Sequence, residues 1–130
     1  MEKKEFQTRI LLYIMIQSFD EIAKIDEDLQ EDLEELDMSI QWKVKDINAY
    51  ISFKEGKVLG ELDKEIENPS VALILKNYDT AQGLLTGRID GTSAYMSGDL
   101  TIEGNLADAM EFTSLSDILM DYLEPLMSGI

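Results

Sequence analysis

The strongest constraint on this sequence is a change of hydrophobic period at Met38. Ahead of it, Glu5 to Leu36 contains neither proline nor glycine. Ile22, Ile25, Leu29, Leu33 and Leu36 recur there at helical spacing, which predicts one long helix or two abutting ones. From Met38 onward, Met38, Ile40, Trp42 and Val44 alternate with Ser39, Gln41, Lys43 and Lys45, the pattern of a strand with one buried and one wet face. A helical beginning followed by short sequential strands places the chain in the α+β class.

After Asp46 the alternation resumes with Ile47, Ala49, Ile51 and Phe53, and Glu55-Gly56 supplies turn chemistry before Val58 to Leu62. Three strands joined this tightly predict an antiparallel meander. Asp63 to Ser70 reads as a polar loop, and the unbroken apolar run Val71 to Leu75 reads as an interior strand. Tyr78, Ala81, Leu84 and Leu85 fit one helix face, closed by Gly87, and a short helix through Ala94, Tyr95 and Met96 should stop at Gly98. Leu100 and Ile102 mark a fifth strand ending at Gly104. Asn105 can then cap a last helix. That helix carries Leu106, Ala109, Met110, Leu115, Ile118, Leu119, Tyr122 and Leu123, an apolar arc broader than one contact needs.

The 130 residues suffice for one core and favour one domain, with 1–37 as an acidic helical segment and 38–123 as the main body. The longest apolar run, Ile10 to Ile16, falls well short of the roughly 20 residues that cross a bilayer, and it leads into Gln17, Ser18, Phe19 and Asp20 as mature protein would. It surrounds its helix instead of striping it, so it asks for burial on more than one side, within the domain or against a second copy of the chain.

The net charge of −16 opposes nucleic-acid partners and anionic membranes, so no stable membrane insertion is expected. Without histidine the commonest near-neutral acid/base and transition-metal ligand is missing, and without cysteine there is no thiolate chemistry. We expect no enzyme, no cofactor and no metal site, and a cytoplasmic location.

The stretch from Gly91 to Met110, GTSAYMSGDLTIEGNLADAM, resembles the C-terminal signature of the sterol carrier protein family. It has both glycines, the Tyr95-Met96 pair and the Asn105 helix start in order, while Asn68 to Leu75 and Leu84 to Gly87 look like the family segments that precede it. The resemblance runs from about Met38 to Leu123. It implies a five-stranded, mainly antiparallel sheet with helices over one face, here with a long N-terminal helix, and a hydrophobic tunnel between sheet and helices that holds acyl chains or other lipids. Where peroxisomal relatives are rich in lysine, this chain has Asp99, Glu103, Asp108 and Glu111, and its ending Met127 to Ile130 is no peroxisomal targeting tripeptide.

By resemblance and helix face together, the ligand lining falls to Leu84, Tyr95, Met96, Leu106, Met110, Leu119 and Leu123. Methionines are suited both to solid cores and to adaptable cavities; for Met96 and Met110 the resemblance favours the cavity. Tyr95 offers a ring and a hydroxyl that suit a ligand headgroup or a backbone carbonyl equally. Asp26 to Asp37 has the length of a calcium loop, but Glu31 stands where glycine is required and helical spacing runs straight through it. The leading expectation is non-catalytic binding and transport of a lipid or fatty-acyl ligand. The alternative is an interaction or homodimerisation domain with a closed cavity, working through the N-terminal helix, and a carboxylate-based enzyme comes last.

Overall fold

The computed structural model describes residues 1–128; Gly129 and Ile130, part of the terminal tripeptide read above, lie outside the described residues. The helical segment is two helices, α1 (Lys3–Ala23) and α2 (Glu27–Glu34). The break falls where Asp26 leaves helical geometry and accepts a hydrogen bond from Leu29 N at 2.9 Å, capping α2. Its continuous helix through Glu34 leaves no calcium loop in that segment.

Strands β1 (Asp37–Val44), β2 (Ile47–Lys54) and β3 (Lys57–Leu62) form the expected meander. Strand β4 (Val71–Leu75) lies inside the sheet between β1 and the edge strand β5 (Leu100–Gly104), giving the order β3-β2-β1-β4-β5. The sheet is mixed, because β4 pairs with β1 in parallel while the other three pairings are antiparallel.

The parallel pairing depends on the 63–70 loop, which carries the chain back from β3 at one edge to the far side of β1. The loop lies against the sheet face opposite the helices and is tied to β1 at every second residue. Ser39 and Ser70 exchange hydrogen bonds, each backbone N–H donating to the other's Oγ, at 2.9 and 3.0 Å. Gln41 Nε2 donates to Lys64 O at 3.0 Å and its Oε1 accepts from Ile66 N at 2.8 Å. Lys43 pairs with Glu65 at 3.3 Å. Gln41, which alternation assigns to the wet face, is therefore fully buried.

The other face carries Met38, Ile40, Trp42, Val44, Ile47, Ala49, Ile51 and Phe53 into one core with α1, α2, α3 (Tyr78–Leu85), α4 (Gly91–Ser97) and α5 (Leu106–Ser128). Helix α1 supplies Leu12, Met15, Ile16, Phe19 and Ile22 from one side only. Ile10, Tyr13 and Ile14 stay exposed, so the apolar run is not buried all round within this chain.

Candidate functional site

Six of the residues implicated by sequence lie on α4 and α5, with Leu84 apart on α3. Helix α4 starts at Asp90, which caps it, and stops at Gly98, whose φ of 85° suits a residue without a side chain. Strand β5 returns along β4, and α5 begins where Asn105 Oδ1 accepts from Asp108 N at 3.1 Å. Both α4 and α5 touch β5.

The seven residues divide into two sets. Leu119 is buried, and Leu84 and Leu123 are partly buried against the core. Tyr95 and Met96 on α4 are 49% and 80% exposed, and Leu106 and Met110 at the start of α5 are 54% and 67% exposed. The broad apolar arc of α5 is thus split: Ala109, Phe112, Leu115 and Leu119 face the core, while Leu106, Met110 and Tyr122 face outward.

Between the sheet and α5, the space is occupied by aromatic rings. Phe112 lies 5.9 Å from Phe19, 6.3 Å from Phe53 and 6.3 Å from Trp42, the last edge-on, and Phe19 meets Phe53 at 5.4 Å. Such pairs favour offset or edge-to-face geometry and hold α5 against the sheet through one inserted ring. Trp42 Nε1 is buried and has no hydrogen-bond partner among the described residues. Neither Phe112 nor Trp42 stood out in the sequence reading, although Ala109, Phe112, Leu115 and Leu119 keep helical spacing and Trp42 is the sole tryptophan.

Two open clefts border the helices. One, of about 450 Å³, lies between the end of α3 and α5, with Arg88 facing Asp117, Asp121 and Glu124. The other, of about 470 Å³, lies among α1, α2 and the β2–β3 turn, with Lys24, Glu34, Glu55 and Lys57 in its walls. Both are lined largely by charged groups and suit an apolar chain poorly. Among the described residues no three acidic side chains converge as a metal site requires, and no helix is long and apolar enough to cross a membrane.

Two polar ties hold the helices in place. Arg9 of α1 donates from both terminal nitrogens to Asp63, at 2.5 and 2.6 Å, and these bonds hold the Asp63 carboxyl below its usual range. Tyr122 of α5 donates to Asp26, lowering the carboxyl and raising the phenol. Helix α5 itself carries Asp108, Glu111, Asp117, Asp121 and Glu124 and no basic residue.

The family model described as the SCP-2 sterol transfer family matches residues 19–117. No curated protein matches the chain significantly. Among solved structures, a UbiJ-SCP2 ubiquinone synthesis protein superposes with a TM-score of 0.67 at 16% identity, over 85% of this chain and 96% of that one. Palmitated SCP2L2 from Aedes aegypti gives 0.61 at 12% identity, over 82% of this chain and 91% of that one. The stereoselective inverting sec-alkylsulfatase Pisa1 from Pseudomonas sp. gives 0.58 at 17% identity; 66% of this chain is covered, and it spans 14% of that enzyme's length. At these identities the structural matches establish the shared fold.

Proposed function

We propose that this chain, which belongs to the SCP-2 sterol transfer family, binds an apolar lipid or fatty-acyl ligand between its sheet and α5, and releases it without chemistry. The observation that carries this reading is the exposed set Tyr95, Met96, Leu106 and Met110 on the two helices that flank β5. Large apolar side chains left in water forgo stabilisation that a bound chain would return, about 0.8 kcal/mol per buried methylene before ordering costs. Leu119, which is buried, and Leu84 and Leu123, which are partly buried, are assigned in this proposal to the part of the lining that faces the core. Phe112 fills the interior in this structure, so a ligand enters as α5 shifts and Phe112 gives up its place between the rings. The palmitate named for the Aedes aegypti relative supports an acyl chain as occupant.

The acidic face of α5 opposes collision with anionic membranes, so exchange is expected with neutral lipid surfaces or through a protein. In this proposal the chain acts as one domain in the cytoplasm.

Native mass spectrometry of the purified protein, followed by denaturing extraction, tests the reading. A stoichiometric lipid supports it and names the ligand class. A clean apo mass, together with no uptake of a fluorescent fatty acid or of its methyl ester, overturns it.

One observation favours a second reading. Phe6, Ile10, Tyr13 and Ile14 leave an exposed apolar stripe along α1, where two copies of the chain would bury it. Mass measured against concentration decides: a strict monomer throughout the micromolar range removes the dimer.

A further inference from the structure

Position 42 on the central strand β1 faces the helices, with Ala49 of β2 and Leu73 of β4 as its partners across the sheet. Trp42 there is 4% exposed, and its ring meets Phe112 edge-on. Its indole Nε1 is the one fully buried side-chain polar atom without a hydrogen-bond partner among the described residues. The neighbouring residue on the opposite face shows how completely this fold otherwise satisfies buried polarity. Gln41, fully buried, donates to Ala49 O and Lys64 O and accepts from Ile66 N. A buried donor left unpaired is unfavourable, and phenylalanine would fill much of the same space without that penalty.

We infer that Trp42 is the polar anchor of the lipid site, its indole N–H donating to an oxygen of the bound ligand. The inference rests on the lipid-binding reading above and narrows it to a ligand class. Among the described residues no lysine or arginine is buried, the buried polar side chains being Thr8, Gln41 and Thr80. An ionised carboxylate brought there would meet a single neutral donor and remain uncompensated in an apolar interior. The site accordingly favours neutral lipids with an acceptor oxygen, such as long-chain esters, ketones or alcohols, over fatty-acid anions. Entry of the oxygen to Nε1 follows the movement of Phe112, whose ring packs against the indole at 6.3 Å between centroids.

The chain has one tryptophan, so a single indole ¹H–¹⁵N resonance and a single intrinsic fluorophore report the contact directly. The test titrates the whole protein with hexadecane, methyl palmitate and palmitate, each delivered from cyclodextrin near neutral pH. Binding is read by displacement of a fluorescent alkane, and the indole resonance is followed in parallel. Methyl palmitate is expected to move the indole proton downfield and to bind more tightly than palmitate. The Trp42→Phe variant should lose about fivefold to tenfold in affinity for the ester while keeping its affinity for hexadecane. An indole resonance unmoved at saturation, or equal ester affinity in the variant, overturns the anchor and leaves lipid binding standing. Palmitate binding as tightly as the ester overturns the preference for neutral ligands. If none of the three binds the wild-type protein, the lipid-binding reading fails and the anchor with it. The resonance measurement needs only the wild-type chain, so a poorly folding variant does not blunt the test.

Discussion

Tyr122 on α5 donates its phenolic hydroxyl to Asp26 Oδ2 at 2.6 Å, so the residue that caps α2 also holds α5 down. Asp26 uses its other oxygen on Leu29 N. One carboxylate therefore stabilises a helix start and ties the C-terminal half of the covering helix to the N-terminal segment, 96 residues away in the chain.

If α5 must move for a ligand to enter, this contact sets how often it does. Tyr122→Phe removes the donor and leaves the ring and the α2 cap in place. Backbone amides in the second half of α5 should exchange several-fold faster in the variant, with β1 and β4 unchanged, and lipid uptake should accelerate. Equal exchange rates in α5 would show that the latch has no control over the helix.

The acid limb of stability follows from two depressed carboxyls. Asp63 is lowered chiefly by its hydrogen bonds from Arg9, and Asp26 chiefly by Tyr122 and then by Leu29 N. Each contributes stability that is present above the unfolded aspartate pKa of about 3.9 and is lost as pH falls through the lower folded value. Protonation of the remaining acidic groups acts the other way, by relieving the self-repulsion of a chain at −16. The comparison with variants separates the two. Asp26→Asn and Asp63→Asn should be less stable than wild type near neutrality, and the gap should close below about pH 3.9. Tyr122, whose pKa is raised first by Asp26, adds a contribution present below about pH 10 and lost as pH rises through its folded value. Urea midpoints across the pH range check both limbs; a gap that stayed constant into acid would contradict the assignment.

Gln41 holds the crossing loop, and with it the parallel pairing of β4. Gln41→Ala leaves Lys64 O, Ile66 N and Ala49 O without their side-chain partner and should destabilise the fold by about 1–3 kcal/mol. Gln41→Leu should do no better, because the orphaned groups belong to the backbone. Limited proteolysis should cut first within 63–70. A urea midpoint equal to wild type would mean that water replaces the amide freely.

Two glycines of the signature are separable by one substitution each. Gly104 has φ 105°, and a Cβ there would run into the backbone oxygen of Ser70, with Val71 Cα 3.1 Å away. Gly98 has φ 85° with nothing near its missing Cβ. Gly98→Ala should cost about 1–2 kcal/mol, the left-handed penalty alone. Gly104→Ala should cost clearly more, since the β4–β5 edge must also give way. Equal losses in thermal or urea unfolding would remove the close backbone approach as the reason for glycine at 104.

Much of the architecture was legible because its signals are local. The alternation from Met38 to Phe53, the Asx cap at Asn105 and the glycines at 87 and 98 each act within a few residues. They predict elements whatever the rest of the chain does. The site was legible only as a set of apolar residues. Helical spacing places Leu106, Met110, Leu119 and Leu123 on α5, but α5 offers more apolar arc than the sheet can cover. Which part is buried depends on where Phe112 docks.

The sequence by itself determined the order and kind of the elements, the meander, the interior character of Val71 to Leu75 and the absence of histidine and cysteine chemistry. The tertiary structure alone decided that β4 runs parallel to β1, because strand partners are chosen by contacts far apart in the chain, here the loop fastened on Gln41. It also decided that one side of Ile10 to Ile16 stays exposed and that Trp42 is buried with its N–H unpaired among the described residues. A side chain's surroundings are set by the elements that pack over it, and no local period encodes them.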